Sequence, residues 1–345
     1  MIPPASSHNK DRGHLERLIF RGRKRARQVR LGSHTPVPFP RKRALLARKL
    51  KHWLEFGLFY SLFLLARPIP RSWLLAAGRG LGTFAWRVVG FRRQVIRDNL
   101  AHAFPDEDFA WREKVALGFY RNLGMTVMEF MASPWRKQDD VLNLVRLKGE
   151  EHMHAVLAMN KGALMLSGHF GNFEILPHRL TAEGVAFSGI VKSQSNPHVD
   201  RFQNDLRRKS GMGVIYTGGA FPAILSELKA GRFVGLLSDQ DAGSKGYFTE
   251  FLGREASVFR GSALLAWKSG CPLITGHLYR QPDYTHVLEI DPPIMPDPDW
   301  DEETAIRILT ENHVAHLEAA VRKAPEMYYW VHRRWKTRPP GEAKP

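Results

Sequence analysis

The 345-residue chain is 43% hydrophobic and 25% charged, enough apolar content for a substantial core and too polar overall for a polytopic membrane protein. A single cysteine, Cys271, excludes an internal disulfide and a cysteine-rich metal site. The formal charge of +17 sits at one end: residues 1–52 hold fifteen Lys and Arg against Asp11 and Glu16, and the rest carry thirty-six against thirty-two.

That basic head includes RGRKRARQVR at 21–30 and PRKRALLARKLK at 40–51, and residues 1–43 are expected to be a disordered tail. It is a solvated arm, an over-long start of translation, or an electrostatic device. For the last, an anionic membrane surface fits better than nucleic acid. An apolar segment follows at once, and the body has neither zinc-finger spacing nor an RNP-like aromatic motif.

Residues 53–66, WLEFGLFYSLFLLA, are apolar apart from Glu55. This run of fourteen falls short of the roughly 20 residues that span a bilayer. No small-residue cleavage site follows, which argues against a secretory signal. From Trp73 to Phe91, tryptophans, leucines and valines mix with Arg71, Arg79, Arg87, Arg92 and Arg93. Basic, aromatic helices of this kind lie in the membrane interface. Residues 44–104 are therefore expected to be membrane-associated helices, monotopic or with one short helix; the alternative is a pair of core helices.

Residues 91–104 look helical, and from Asp108 the positions Val115, Phe119, Leu123, Val127 and Phe130 predict one packed helix face. After Gly149 the rhythm alternates. Strands are predicted at 163–167, 185–191, 213–216, 233–237, 273–277 and 287–290; helices are predicted at 173–183, 199–210, 221–230 and 262–269. This βαβα order predicts an α/β domain over 105–340, with a mostly parallel central sheet covered by helices. Cys271 opens an apolar strand and reads as structural. Asp301, Glu302 and Glu303 open a last amphipathic helix, where acids suit the dipole.

Three predicted strands end in polar groups. The first leads into His169, with Glu174 five residues on. Another ends at Lys192 before Ser193-Gln194-Ser195-Asn196-Pro197, and a third ends in Ser238-Asp239-Gln240-Asp241. If the strands are parallel, these clusters share the rim where open α/β sheets bind ligands. Five of the fifteen histidines have an acid five positions on, but only His169 directly follows a strand-like run and is flanked by glycines, Gly168 and Gly171.

The expected chemistry is general-base removal of a hydroxyl proton by His169, steadied by Glu174 and followed by attack on an activated acyl carbon. An ideal helix would turn the pair apart, so His169 must sit in the turn before a helix and Glu174 in its first turn. Lys192 is a candidate for an anionic substrate group or the oxyanion. Asp239 and Asp241 are candidates for a substrate hydroxyl, for holding Lys192, or for a turn cap. A metal held by His169, Asp239 and Asp241 is the rival chemistry. No GxSxG elbow, Walker A, HExxH or EF-hand pattern occurs. Gly78-Arg79-Gly80-Leu81-Gly82 lacks the strand a dinucleotide site needs.

With these residues in view, the chain resembles the bacterial lipid A biosynthesis acyltransferases of the lauroyl/myristoyl type, in the lysophospholipid acyltransferase-like superfamily. The likeness runs from about Leu54 to Pro339. It rests on Arg97-Asp98-Asn99-Leu100 with Phe104-Pro105, GHFGNFE, Asn196-Pro197, SDQDAG (238–243), Phe251-Leu252-Gly253 and YYWVHRRWKTRP (328–339).

The resemblance implies a glycerolipid acyltransferase-like fold and an inner-membrane enzyme facing the cytoplasm. It would move a fatty acyl chain from acyl carrier protein to a hydroxyl of a lipid A precursor, a glycolipid acceptor, without cofactor or metal. His169 and Glu174 match the HX4(D/E) catalytic pair, and Asp239 matches the acid after a later strand. Gly171, Asn172, Lys192, Asn196, Asp239 and Asp241 become substrate-binding candidates. The chain departs at Lys192, where arginine is usual, and at Ser257-Val258-Phe259-Arg260-Gly261. The alternatives are a coenzyme A-dependent acyltransferase for another glycolipid or lysophospholipid, and a non-catalytic lipid-binding protein.

Overall fold

The structure is a computed structural model that describes residues 42–341. The tail expected over residues 1–43 therefore lies almost wholly outside the described residues. Residues Leu50–Pro345 group as one compact unit. No break falls at residue 104, so the helical residues from Leu50 to Phe104 belong to the same body as the sheet.

The helices before the sheet are α1 (Lys42–Ala66), α2 (Arg71–Phe84), α3 (Arg93–Ala103) and α4 (Phe109–Ala132), with a π-helical turn at Ala85–Val89 after α2. Gly90, at φ +65°, closes that turn. Asp108 caps α4 by accepting from the Trp111 backbone N–H at 2.6 Å. Among the described residues, no helix is long and apolar enough to cross a membrane.

The face predicted for α4 drifts. Val115 and Phe119 are buried, but Val127 is exposed, while Asn122, Thr126 and Glu129 are buried instead. A spacing of four gains about 40° per step on a helix of 3.6 residues per turn, so the apolar row winds off the packed side. The polar residues are tolerated because Arg280 binds all three: Nε donates to Asn122 Oδ1 at 2.9 Å, and Nη2 donates to Thr126 Oγ1 at 3.3 Å and Glu129 Oε2 at 2.8 Å.

After α5 (Gln138–Leu144), the chain alternates through β1 (Val145–Lys148), α6 (Glu150–Ala158), β2 (Ala163–Ser167), α7 (Leu176–Ala182), β3 (Phe187–Val191), α8 (Pro197–Lys209), β4 (Gly213–Tyr216), α9 (Ala220–Lys229) and β5 (Phe233–Leu237). A hairpin of β6 (Tyr247–Phe251) and β7 (Arg254–Val258) follows. Then come α10 (Arg260–Ser269), β8 (Leu273–Arg280), β9 (His286–Ile290) and α11 (Glu302–Lys323). Asp301 caps α11 at the Thr304 N–H, 2.7 Å away.

The seven-stranded sheet has the order β1-β9-β8-β2-β5-β3-β4. From β8 to β4 it is parallel; β9 runs antiparallel to β8, and β1 follows β9. The expected mostly parallel sheet is present, with β1 and the β6–β7 hairpin added. Every β2 residue is buried, with Leu164 and Leu166 packed on one face and Ala163 and Met165 on the other. Apolar layers on both faces explain why these strands read as continuous hydrophobic runs.

Candidate active site

Strand register builds the site. In the β2–β5 pair Ser167 lies opposite Leu237, so His169 and Asp239, each two residues further on, emerge side by side at the carboxyl rim. Asp239 holds the histidine twice. Its Oδ2 accepts the His169 backbone N–H at 3.0 Å, and its Oδ1 lies 2.8 Å from the ring Nδ1. With Nδ1–H given to the carboxylate, the neutral ring keeps its lone pair on Nε2.

Burial disfavours the charged imidazole, yet the charge and hydrogen bond of Asp239, helped by Glu174, outweigh it and raise the His169 pKa above its usual 6.5. Burial likewise pushes Asp239 up, but His169 wins and holds that carboxyl below 3.8. The Phe173 ring meets the imidazole edge-on at 4.9 Å, and Tyr329 lies tilted over it at 5.5 Å.

Glu174 is not the histidine's hydrogen-bond partner. It lies in the loop before α7, because the helix starts only at Leu176, and it pairs with Arg207 Nη2 at 3.2 and 3.3 Å. The expectation of Glu174 in a first helical turn beside His169 is thus corrected: the nearer carboxylate comes from the neighbouring strand. Arg207 was missed. It closes α8 beside Arg208 and Lys209, and a basic last turn reads simply as dipole compensation.

The other candidates scatter. Lys192 follows β3, which is separated from β2 by β5, so it starts about 10 Å from His169 in the sheet plane and points into solvent. Asn196 caps α8 through the His198 N–H at 3.0 Å and donates to His52 O and Glu55 Oε2 at 2.8 and 3.0 Å. Asp241 accepts from the Thr337 hydroxyl at 2.8 Å, so it anchors the carboxyl-terminal strap.

Gly171 has φ +57°, and a Cβ there would lie 1.8 Å from Leu278 O. Its N–H donates to Met327 O at 2.9 Å. Asn172 donates to Glu129 Oε2 at 2.8 Å. Both residues hold the HFGNFE loop against the body. Asn99 plays a similar part by donating to Trp330 O and His332 O, both at 2.7 Å, which ties Arg97-Asp98-Asn99-Leu100 to the carboxyl-terminal motif. Among the described residues, no group of three or more His, Cys, Asp or Glu is placed to hold a metal ion.

Beside the Glu174–Arg207 pair, an apolar cavity of about 90 Å³ lies on the face of β2, β5 and β3 against α7 and α8, lined in part by Phe187 and Met212. It is narrow because space is shared closely: a Cβ at Gly189 would lie 2.0 Å from Met212 Cε, and one at Gly235 2.2 Å from Phe187 Cζ.

A model of the family described as bacterial lipid A biosynthesis acyltransferase matches residues 41–337. The lipid A biosynthesis lauroyltransferase of Escherichia coli K12 is 27% identical over 292 residues, covering 84% of this chain and 92% of that protein. The palmitoleoyltransferase of the same strain is 27% identical over 296 residues, covering 85% and 94%. Among solved structures, the 1-acyl-sn-glycerophosphate acyltransferase PlsC of Thermotoga maritima overlaps 72% of this chain and 97% of its own, at 15% identity and a TM-score of 0.34. That overlap is too loose to bear on the chemistry.

Proposed function

The chain belongs to the bacterial lipid A biosynthesis acyltransferase family, and on that premise we propose that His169 is the general base of its acyl transfer, with acyl carrier protein as the donor. It is an acyltransferase of lipid A biosynthesis, and its acceptor is a glycolipid. The single observation carrying the assignment of the base is the 2.8 Å contact of His169 Nδ1 with Asp239.

With Nδ1 engaged, Nε2 takes the proton of the acceptor hydroxyl as its oxygen attacks the thioester carbon. The new C–O bond forms, the C–S bond breaks, and the imidazolium returns its proton to the departing thiolate. Asp239 orients the ring and stabilises the imidazolium. Glu174 adds negative potential and holds Arg207 at the mouth of the apolar cavity, which has room for only a short stretch of the acyl chain. Lys192, exposed on the same rim, is left for an anionic part of donor or acceptor.

Membrane association belongs to the same proposal. Trp53, Leu54, Leu58 and Leu65 on α1 are exposed, as are Trp73 and Phe84 on α2 and Val88, Val89 and Phe91 after it, with Arg79, Arg87 and Arg92 interspersed. An apolar surface edged by cations suits the interface of an anionic bilayer, the cytoplasmic leaflet of the inner membrane in this reading.

The test is transfer of labelled acyl chains by the purified full chain, offered on acyl carrier protein and on coenzyme A, to a lipid A precursor. Mass spectrometry reads the product. Wild type is expected to add one acyl mass from acyl carrier protein, and His169→Ala to lose at least about 10²-fold in rate while keeping its Tm. Undiminished transfer by His169→Ala refutes the proposed base, and transfer only from coenzyme A refutes the donor.

A further inference from the structure

A second cavity lies on the same rim, on the other side of β2. Strand β8 runs parallel to β2, so its carboxyl end at Arg280 reaches that rim, and β9 begins there at His286. Beside them, the ends of α1 and α4, the start of α2 and one side of α5 enclose a cleft of about 460 Å³. Arg67, Arg71 and Arg136 line it, and Ile69, Leu74 and Trp135 supply apolar wall.

The cleft's carboxylates are already occupied. Glu129 Oε1 accepts from Arg71 Nη2 at 2.6 Å, while Oε2 accepts from Arg280 and Asn172 at 2.8 Å each. Asp140 accepts the Lys137 backbone N–H at 2.9 Å. The guanidinium groups of Arg67 and Arg136 are not matched in the same way, whereas Arg71 Nη2 donates to Glu129 and to Tyr284 O. The Arg67 guanidinium meets only the Trp135 ring, 6.0 Å to its centroid, among the described residues. Arg136 makes its one hydrogen bond among those residues through its backbone N–H, to Ser133 O at 3.2 Å. Burial and the neighbouring Arg71 and Arg280 charges pull the Arg136 pKa down, against the opposing pull of Glu129 and Asp140.

We propose that this cleft binds the phosphate group of a lipid, with Arg136 and Arg67 donating to its oxygens. Forked N–H groups match a tetrahedral oxyanion, and several cations favour its charge. An amphiphile is favoured over a free anion because apolar side chains lead away from the cleft: Ile69 lines it, and Leu65 and Leu62 stand exposed nearby on α1.

The cleft is also wired to the catalytic loop. Glu129 and Arg136 line a smaller cavity together with Asn172, Glu174 and His178, so an occupant borders the residues that seat HFGNFE. The lipid is the phosphorylated glycolipid acceptor or a membrane phospholipid. The first choice rests on the acyltransferase reading; the phosphate chemistry does not.

Two measurements on the full-length protein separate these cases. Titration with dihexanoylphosphatidic acid, soluble and monomeric, is expected to show binding that Arg136→Gln weakens roughly 10-fold and Arg67→Gln weakens less. Arg136→Lys should recover part of the loss, and Tm reads whether each variant folds.

The second measurement is KM for a phosphorylated glycolipid acceptor and for the same acceptor after phosphatase treatment. A rise of about 10-fold in Arg136→Gln for the phosphorylated form alone identifies the acceptor's phosphate as the occupant. An unchanged KM with weakened phosphatidic acid binding identifies a phospholipid. Binding of phosphatidic acid equal in wild type and both Gln variants, or no tighter than that of dihexanoylglycerol, overturns the proposal. Absence of acyl transfer by wild type from either donor would sink the acyltransferase mechanism and leave the titration to decide this site.

Discussion

His169 carries two opposed influences: burial works against its protonated form, and two carboxylates work for it. Asp239 acts through contact and charge, Glu174 through charge alone, so removing them has unequal effects. Glu174→Gln should move the pH midpoint of kcat/KM down slightly. It should also raise KM for the acyl donor by several-fold, since Arg207 loses its carboxylate partner; a pH series with both substrates varied checks this. What sequence could show at this scale was the residue types. His169, Glu174 and Asp239 all reach the rim, and the run before His169 is the strand that carries it there. The pairing was not legible, because which acid meets the ring depends on β5 lying next to β2, and strand order is not written in local spacing.

Among the elements, the contact of α2 with α4 shows why glycine matters in the Gly78–Gly82 string. A Cβ at Gly82 would lie 2.1 Å from Tyr120 O, and one at Gly78 2.6 Å from Gly124 O. The two helices touch backbone to backbone, which is the purpose of a string that resembles a nucleotide loop only in composition. Gly82→Ala should therefore destabilise by about 1–3 kcal/mol, read as a lower urea midpoint with unchanged slope. An unaltered midpoint would mean that the helices separate without cost.

Strand positions were legible from apolar runs, and helix starts from Asp108 and Asp301, whose side chains cap those helices. The β6–β7 hairpin was hidden. Its strands carry Glu250, Arg254 and Glu255 among apolar residues, and the positive φ of Leu252 at its turn has no signal in residue type. Polar residues buried on α4 were equally hidden, since the partners that make their burial tolerable, Arg280 above all, are far away in the chain.

For the whole molecule, the exposed apolar surface from α1 through the π-helical turn should govern where the enzyme works. Trp73 and Val88 are 72% and 66% exposed, so changing them costs little folding energy. The double variant Trp73→Glu/Val88→Glu should keep its Tm and lose most of its co-flotation with anionic vesicles, with proportionate loss of transfer to vesicle-borne acceptor. Undiminished flotation would place the membrane contact elsewhere. A membrane-attached segment was expected over 44–104, but its helices share one compact body with the sheet from Leu50 onward. Composition marks an apolar, basic surface and cannot tell whether that surface packs on a neighbour as well.

The partnership of His169 with Asp239 is tested most directly by the pH profile of kcat/KM for acyl transfer in wild type and Asp239→Asn. A base must be unprotonated to act, so the wild-type rate should rise through a midpoint above 6.5. In Asp239→Asn, burial is opposed only by Glu174; the midpoint should fall below the wild-type value and the plateau by at least about 10²-fold. A profile of unchanged midpoint and height in that variant would contradict a histidine poised by this carboxylate.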